Sequence, residues 1–294
     1  MKLQGIFPPI ATPFDHKGDI WKVKVQHNVE KWNRTGLSGF VVCGSTGESV
    51  LLTEAEKIHL WEWVAEYAAS EKLLIAGTGV EGVRETVSLT NRAADMGYKA
   101  AMVRTPHYYK NLINNGPAQM LYYRAVADQS KIPLIIYNWP QATGVDIPPD
   151  AVAELSNHPN IIAVKESSGN LEKVMQMIRE VKPGFNVLVG SAPTLAPSFA
   201  VGAVGAILAF ANAAPYATIS IWEAHRTREP EAAMDWQGRI SHASQLVTTK
   251  YGVPGLKYAM DLMGYYGGPP RLPLIPPCPA AKQEIEQAFA DLRG

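Results

Sequence analysis

Two residues that could share nucleophilic and acid–base chemistry end consecutive apolar runs of the chain. Lys165 follows the run Ile161 to Val164, and Tyr137 closes the run Pro133 to Tyr137. A lysine amine in a low-dielectric pocket loses its charge and can form a Schiff base with a ketone, while a nearby phenol can move the protons this requires. Taken singly, each residue also fits a structural role, in which Lys165 reaches solvent and Tyr137 bonds to backbone at a rim.

A second candidate for chemistry is the segment GSTGES, Gly44 to Ser49. Its glycines allow a tight turn, and the amides and hydroxyls of Ser45 and Thr46 could donate to a carboxylate without placing another cation beside the lysine. The segment also fits an ordinary turn between a strand and a helix. We therefore interpret it as an anion-binding loop only in combination with Lys165 and Tyr137.

Eight short apolar runs must position these residues. Segments with helical spacing lie between most of them. Glu54 to Ala69 begins after a capping box formed by Thr53 and Glu56, and Val83 to Met96 ends at Gly97. The runs are Gly5 to Ile10, Gly39 to Cys43, Leu73 to Ala76, Ala100 to Val103, Pro133 to Tyr137, Ile161 to Val164, Asn186 to Val189 and Gly205 to Ala209.

Apolar strands that alternate with helices indicate a parallel sheet, and eight such units indicate an α/β fold of the (β/α)8 TIM barrel type. The active site of such a barrel lies at the carboxyl ends of its strands, where Lys165 and Tyr137 would meet. The rival is an open dinucleotide-binding sheet, for which Gly77, Gly79 and Gly82 give GxGxxG spacing. No acidic residue follows at the distance that ribose binding requires, so we favour a glycine-rich barrel turn.

The end of the chain predicts further helices on the barrel. Helical patterns cover Tyr216 to Arg228, Glu231 to Thr249 and Lys282 to Leu292, and a proline-rich strap, Gly268 to Pro279, precedes the last one. One closing helix needs fewer residues than these patterns supply. We therefore predict a catalytic barrel over residues 1–225 and a C-terminal helical extension over residues 226–294.

Composition excludes several classes of function. The 27 basic and 27 acidic residues of the 294-residue chain balance and form no basic run, which argues against nucleic acid as a partner. Only 18% of the residues are charged, so we expect oligomerisation. The two distant cysteines, Cys43 and Cys278, and the prolines of the amino terminus favour a cytoplasmic protein without a secretion signal.

Membrane and metal functions are also disfavoured. The charge-free stretch from residue 183 to residue 222 is cut by prolines and glycines into pieces too short to span a bilayer, so we interpret it as buried interior. Metal-dependent catalysis needs clustered ligands, whereas the predicted active face offers only His107, Glu48 and Glu166 in separate loops. We expect no bound metal.

The motifs in combination resemble a known family. GSTGE, TPHYY, YNWP and VKESSGN occur in the order and spacing of the dihydrodipicolinate synthase and N-acetylneuraminate lyase family of pyruvate-dependent class I aldolases. This resemblance implies a Schiff base between Lys165 and a 2-oxo acid, without a cofactor. It also implies a proton relay through Tyr137 and binding of the substrate carboxylate by Ser45 and Thr46, of which Thr46 also counts among the catalytic residues.

The resemblance further implies an assembly and additional site residues. Members of this family are usually homotetramers built as a dimer of dimers, in which a neighbouring subunit supplies a second tyrosine, and we assign this residue to Tyr109 rather than Tyr108. Ser167, Gly190 and Ile207 should line the substrate site. Residues that could shape the loops or contact substrate are Asn138, Trp139, Gln141, Thr143 and His107.

One departure from the family pattern bears on the substrate. Ala142 occupies the position at which dihydrodipicolinate synthases carry an arginine that binds the carboxylate of the aldehyde. The chain is most similar to 4-hydroxy-2-oxoglutarate aldolases, chiefly in the segments PxxTG, HPNII and VPGLKYAMDLMGYYGGPPRLPL. This similarity implies cleavage of 4-hydroxy-2-oxoglutarate to pyruvate and glyoxylate. The alternatives are an aldolase for 2-keto-3-deoxy sugar acids, the synthase itself, and a pyruvate-binding regulatory protein without catalytic activity.

Overall fold

The strands form one sheet that is parallel throughout. A computed structural model describes residues 1–292 of the chain. The hydrogen-bonded strand order is β1-β8-β7-β6-β5-β4-β3-β2, as in a barrel opened between its first two strands. The strands are β1 (Gly5–Phe7), β2 (Gly39–Val42), β3 (Leu73–Gly77), β4 (Ala100–Arg104), β5 (Leu134–Asn138), β6 (Ile161–Glu166), β7 (Asn186–Val189) and β8 (Gly205–Ile207).

Backbone hydrogen bonds close the ring between β1 and β2. Ser38 N donates to Ile6 O at 2.9 Å, and Val41 N donates to Pro8 O at 2.9 Å. Strand β1 stops at Phe7, earlier than predicted, because Pro8 and the proline after it have no N–H to donate to a ladder. The predicted (β/α)8 TIM barrel is confirmed.

Helices fill the connections between strands and cover the barrel. The capping box at the start of the helix after β2 is present, with the side chain of Thr53 accepting from Glu56 N. The helices are α1 (Lys22–Asn33), α2 (Glu54–Tyr67), α3 (Val83–Asp95), α4 (Lys110–Ile113), α5 (Gly116–Ala127), α6 (Pro140–Thr143), α7 (Pro149–Ser156), α8 (Leu171–Glu180), α9 (Leu195–Ala200), α10 (Pro215–Arg226), α11 (Pro230–Gln245), α12 (Gly252–Leu262) and α13 (Pro279–Ala288). Short 3-10 turns cover Ser45–Gly47, Ser49–Leu51, Ala192–Thr194, Ala209–Asn212 and Ala290–Leu292.

The C-terminal helices differ in detail from their prediction. The pattern Glu231 to Thr249 is divided into α11 and a π-helical turn, Leu246–Lys250, and α12 was not predicted at all. Helix α13 begins at Pro279, which is suited to a first helical turn because the N–H it lacks would be unpaired there. Helices do follow the barrel as expected. The division of the chain at residues 225 and 226 stays a prediction.

Alternation along the strands separates two cores. Every second side chain of a strand points into the barrel, and the side chains between them pack against the helices. Val41, Ile75, Met102 and Ile135 are among those inside the barrel. The stretch from residue 183 to residue 222 supplies β7, α9, β8 and part of α10 to these cores. Among residues 1–292, no helix is both long and apolar enough to cross a membrane.

The glycine-rich turn after β3 has a packing explanation. A Cβ atom on Gly77 would lie 2.2 Å from the backbone oxygen of Cys43, the residue that follows β2, so only glycine permits this approach. This supports the interpretation of the GxGxxG spacing as a barrel turn rather than a dinucleotide site.

Candidate active site

Lys165 and Tyr137 meet inside the carboxyl end of the barrel. They are register partners on β6 and β5, and the Lys165 Nζ atom lies 4.0 Å from the centroid of the Tyr137 ring. Strand β6 continues to Glu166, beyond its predicted end, so Lys165 lies within the strand rather than after it. Because alternate residues of these strands face inward, both side chains enter the barrel.

The Lys165 amine loses its charge at a lower pH than an ordinary lysine does. The residue is 4% exposed, and burial lowers the pKa of its amine to about 7. Within residues 1–292 no carboxylate pairs with it, so no counter-charge offsets the cost of removing its charge from water. The site therefore supplies a free amine near neutral pH, as attack on a ketone requires.

The Tyr137 hydroxyl faces the loop after β2. Ser45 Oγ lies 3.3 Å from Tyr137 Oη, and either atom can donate. Burial raises the pKa of Tyr137 to about 12, while the Ser45 hydrogen bond and the charge of Arg104 act in the opposite direction. Tyr137 thus stays protonated at neutral pH and can exchange protons with Ser45. Thr46 lies on the same loop and is buried, but Ser45 is the hydroxyl that reaches Tyr137.

A cavity of about 180 Å³ lies over the amine. Its walls include all the residues predicted to catalyse or to bind substrate except Tyr109, together with parts of the C-terminal helices. The lining residues are Pro9, Ser45, Thr46, Tyr137, Trp139, Lys165, Ser167, Gly190, Ser191, Pro193, Ile207, Ala209, Val247, Thr248, Thr249, Gly252, Val253 and Leu256.

Ser167 and Gly190 form the wall next to Lys165. The Ser167 Oγ atom is buried and has no hydrogen-bond partner among the described residues. A Cβ atom on Gly190 would lie 2.0 Å from Ser167 Oγ and 2.8 Å from Lys165 Cε, so the absence of a side chain at residue 190 makes room for both. An unpaired buried hydroxyl beside the amine is suited to a polar group of a bound substrate.

The C-terminal helices contribute residues that the sequence did not single out. The π-helical turn Leu246–Lys250 brings Val247 and Thr248 to the cavity, and α12 adds Val253 and Leu256. Single π-helical turns often occur at functional sites. The C-terminal helices therefore form one side of the site. No pattern in their sequence predicted this contribution.

A buried ion pair fixes the loop that carries Ser45 and Thr46. Glu48 has φ 56° and ψ 31°, and its carboxylate accepts from Lys257 Nζ at 2.7 Å and from Arg271 N at 2.8 Å. Both charged side chains of the Glu48–Lys257 pair are completely buried. This loop, for which anion binding stays a prediction and which we call the anion loop, is thus tied to α12 and to the proline-rich strap.

Other predicted positions lie around this centre. Tyr109 is 66% exposed at the rim, so its place in the relay stays a prediction that depends on a second subunit. Asn138 binds the Glu166 and Asp146 carboxylates beneath the site, and Trp139 stacks near Tyr137. The Gln141 amide donates to Ser168 O, and the Thr143 hydroxyl accepts from Val145 N. His107 lines a second cavity of about 270 Å³.

Residues 1–292 contain no group of three or more His, Cys, Asp or Glu side chains that could hold a metal ion. Glu48 and Glu166 are instead engaged in buried hydrogen bonds and ion pairs with Lys257, Asn138 and Lys173. The polar groups that remain at the cavity are an amine, a phenol and hydroxyls. This set can bind a 2-oxo acid, condense with its ketone and move protons.

Comparison with known proteins identifies similar chains of the same length. The model of the dihydrodipicolinate synthetase family matches residues 2–292. A 4-hydroxy-tetrahydrodipicolinate synthase of Methanothrix thermoacetophila is 36% identical over 295 aligned residues, which cover 99% of this chain and 98% of the relative. A probable mitochondrial 4-hydroxy-2-oxoglutarate aldolase of Emericella nidulans is 32% identical, over 98% of this chain and 94% of the relative.

Solved structures show the same fold. The dihydrodipicolinate synthase of Acinetobacter baumannii, solved as a complex with pyruvate, superposes with a TM-score of 0.93 at 28% identity and covers 98% of each chain. The synthase of Aquifex aeolicus gives the same TM-score, identity and coverage.

Proposed function

We infer the function from the family to which the chain belongs, the dihydrodipicolinate synthetase family, whose members are carbon–carbon lyases that use a lysine Schiff base with pyruvate. We propose that the chain cleaves 4-hydroxy-2-oxoglutarate to pyruvate and glyoxylate. The observation that carries the chemistry is the Lys165 amine, which is buried, unpaired within residues 1–292 and has a pKa of about 7. Its neighbour Tyr137 supplies an exchangeable proton at the same cavity.

The reaction follows from these positions. The 2-oxo acid rests its C1 carboxylate on the Ser45 and Thr46 loop, and Lys165 attacks the C2 ketone. Tyr137 gives its proton to the departing C2 hydroxyl, so that loss of water leaves a protonated imine, which withdraws electrons from C3, and a Tyr137 phenolate, which can accept the next proton. The C4 hydroxyl then passes its proton to Tyr137, the C3–C4 bond breaks, and the electron pair moves to the imine as an enamine. The same proton returns to C3, and water releases pyruvate from Lys165.

The choice of a glyoxylate-releasing substrate is supported by the β5 loop. Ala142, at the position of the synthase arginine, lines the second cavity and adds no charge there. The similarity to the Emericella aldolase supports the same choice. A sugar-acid aldolase remains an alternative because its substrate shares the C1 to C4 portion that Lys165 and Tyr137 would act on.

Borohydride trapping tests the Schiff base. Wild-type protein incubated with pyruvate and borohydride should gain the mass of one reduced pyruvate adduct, located on Lys165, whereas Lys165→Ala should gain none. The Tyr137→Phe variant should still form the adduct but cleave substrate about 10²-fold more slowly, the usual scale of lost acid–base catalysis. An adduct that persists in Lys165→Ala contradicts the mechanism.

The synthase is a second candidate, since the Methanothrix relative and other similar proteins carry that name. The two activities are separated by supplying pyruvate with either glyoxylate or aspartate semialdehyde and following pyruvate consumption. Faster consumption with aspartate semialdehyde would favour the synthase. Failure with every aldehyde, despite pyruvate binding, would favour the regulatory alternative.

We also propose a cytoplasmic homotetramer. Support for the assembly comes from the exposed aromatic pair Tyr108 and Tyr109, whose rings contact each other edge to face with centroids 5.1 Å apart on the barrel rim. A neighbouring subunit that covers this pair would bring Tyr109 towards the proton relay of its partner.

A further inference from the structure

A second chamber adjoins the Lys165 cavity, and Tyr137 lines both. Its volume is about 270 Å³, and it shares Ser45, Tyr137 and Trp139 with the first cavity. The small Ala142 leaves this space open, and Arg104 and His107 form its basic wall. A substrate that spans both chambers would place its reacting carbon at the Tyr137 hydroxyl.

Arg104 stands in line with the two reactive residues. It is the register partner of Tyr137 on β4, just as Tyr137 is the partner of Lys165 on β6. It also continues the inward row of β4, because Ala100 and Met102 lie inside the barrel and alternate residues share a face. A cation, a phenol and an amine thus occupy one level across three neighbouring strands.

The guanidinium group retains donors that no described residue uses. Its Nη1 atom donates to Glu81 Oε1 at 3.0 Å and to Thr105 O at 3.5 Å, and it contacts His107 Nδ1. Within residues 1–292, Nε and Nη2 have no partner, although the side chain is only 17% exposed. Guanidinium donors form a planar fork that matches a carboxylate.

Glu81 fixes the orientation of this basic wall. Its carboxylate also accepts from His107 N at 2.9 Å and Tyr108 N at 3.0 Å, and it lies 2.8 Å from His107 Nδ1. The Glu81 carboxylate therefore contacts the side chains of both Arg104 and His107. Since the only side-chain nitrogens that Glu81 contacts are Nη1 of Arg104 and Nδ1 of His107, the other side-chain nitrogens of both residues have no partner within residues 1–292 and have capacity for a second anion.

We propose that Arg104, assisted by His107, binds a carboxylate on the aldehyde half of the substrate. This inference rests on the proposed function, because it needs a substrate that is cleaved beside Tyr137. It specifies the substrate class as a 4-hydroxy-2-oxo acid with a second carboxylate. Hydroxyls and amides of the loop after β2 hold the first carboxylate, and the β4 guanidinium holds the second. A neutral polyol tail would offer this guanidinium only uncharged acceptors, which form weaker hydrogen bonds than a carboxylate does, and this disfavours sugar acids.

The test compares two substrates in three variants. 4-Hydroxy-2-oxoglutarate carries the second carboxylate, whereas 4-hydroxy-2-oxobutanoate lacks it and is otherwise the same. Arg104→Gln should lower the ratio of kcat/KM for the first substrate to that for the second by about 10- to 100-fold, the scale of a lost charged hydrogen bond. Arg104→Lys should retain part of the ratio, because it keeps the charge but loses the fork.

Arg92→Gln is the matched control. Arg92 pairs with Glu54 at 2.8 Å on the outer surface, so its loss should leave the ratio unchanged. If Arg104→Gln lowers kcat/KM equally for both substrates, or lowers it for neither, the proposal is overturned and Arg104 is only a structural partner of Glu81. The proposal would also be overturned by a wild-type protein that traps pyruvate but has a higher kcat/KM for 4-hydroxy-2-oxobutanoate than for 4-hydroxy-2-oxoglutarate. Failure of the proposed function would instead appear as wild-type protein that traps no pyruvate.

Discussion

At the scale of single residues, the environment of Lys165 determines when the site can react. An ordinary lysine has a pKa of about 10.4 and is almost fully charged at neutral pH. Burial without a counter-ion among residues 1–292 lowers the pKa of Lys165 to about 7. About half of the amine is then neutral at pH 7, and the nucleophile is available without a separate base.

This shift predicts the pH dependence of Schiff base formation. Because only the neutral amine attacks, kcat/KM for pyruvate trapping by cyanoborohydride should rise with pH up to about 7 and then level off. The rate can be followed by intact mass between pH 5.5 and about 9, where pyruvate itself does not change charge.

A rate that continues to climb through pH 9 would mean that Lys165 has an ordinary pKa. The Tyr137→Phe variant serves as the control, since burial causes the shift of Lys165 and the phenol hydroxyl does not. The midpoint of the profile should therefore stay near pH 7 in this variant.

The pair Lys165 and Tyr137 was predictable because each ends an apolar run, and consecutive parallel strands bring such ends together. Arg104 carries the same signal, but the predicted strand ended at Val103 and left the arginine out. The partnership of Tyr137 with Ser45 rather than Thr46 could not be predicted, because both hydroxyls lie on one short turn whose conformation depends on distant contacts.

At the scale of elements, the ion pair between Glu48 and Lys257 holds the anion loop in place. The pair joins residues 209 positions apart, and Lys257 also donates to Pro269 O at 2.9 Å. A buried cation that loses its carboxylate costs several kcal/mol, because the charge stays out of water without compensation. The conformation of the loop thus depends on α12.

Glu48→Gln should lower the free energy of unfolding by about 3–5 kcal/mol, measured by chemical denaturation. It should also raise KM for the 2-oxo acid, because the loop that carries Ser45 and Thr46 loses its anchor. The double variant Glu48→Gln with Lys257→Met should recover part of the stability.

Glu54→Gln provides the comparison for this prediction. Glu54 belongs to an ion pair that is about half exposed, and such pairs contribute only about 0.2–1 kcal/mol. Equal effects of Glu48→Gln and Glu54→Gln would contradict the anchoring role.

The barrel elements were predictable from local patterns, whereas the C-terminal ones were less so. Apolar runs and capping signals mark the strands and α2, because those features lie within a few residues of each other. The start of α12, GVPG, has the composition of a turn, and a π-helical turn differs from an α-helix by a shift in hydrogen bonding that no local pattern encodes. Packing against the barrel, rather than the local sequence, determines where α12 starts and where the π-helical turn forms.

At the scale of the whole molecule, the rim beside the active site carries exposed apolar side chains. Val50, Tyr108, Tyr109 and Leu112 belong to the connections after β2 and β4, and Leu112 is 73% exposed. The low content of charge predicted an interface, but the sequence alone did not show which surface would form it. These side chains make the rim the best candidate.

Leu112→Asp should therefore weaken self-association. Wild-type protein should have a mass near four times 32.1 kDa by light scattering, and the variant a smaller one. Turnover should fall with the mass, because a dissociated subunit loses the tyrosine that a neighbour would supply. Val23→Asp, at an exposed position on α1, is the control and should change neither quantity. A Leu112→Asp monomer with full turnover would contradict the shared site.

The proline-rich strap also has a consequence for biosynthesis. Arg271 donates to Gly18 O, Leu51 O and the Glu56 carboxylate, and the Asn28 side chain bonds to the backbone of Tyr266. Translation releases these early residues from the ribosome long before their late partners exist. A nascent chain that stops before α12 has every strand of the ring but lacks both Lys257 and Arg271, the two partners of the Glu48 carboxylate, so we expect the anion loop to become fixed only after these late residues are synthesised.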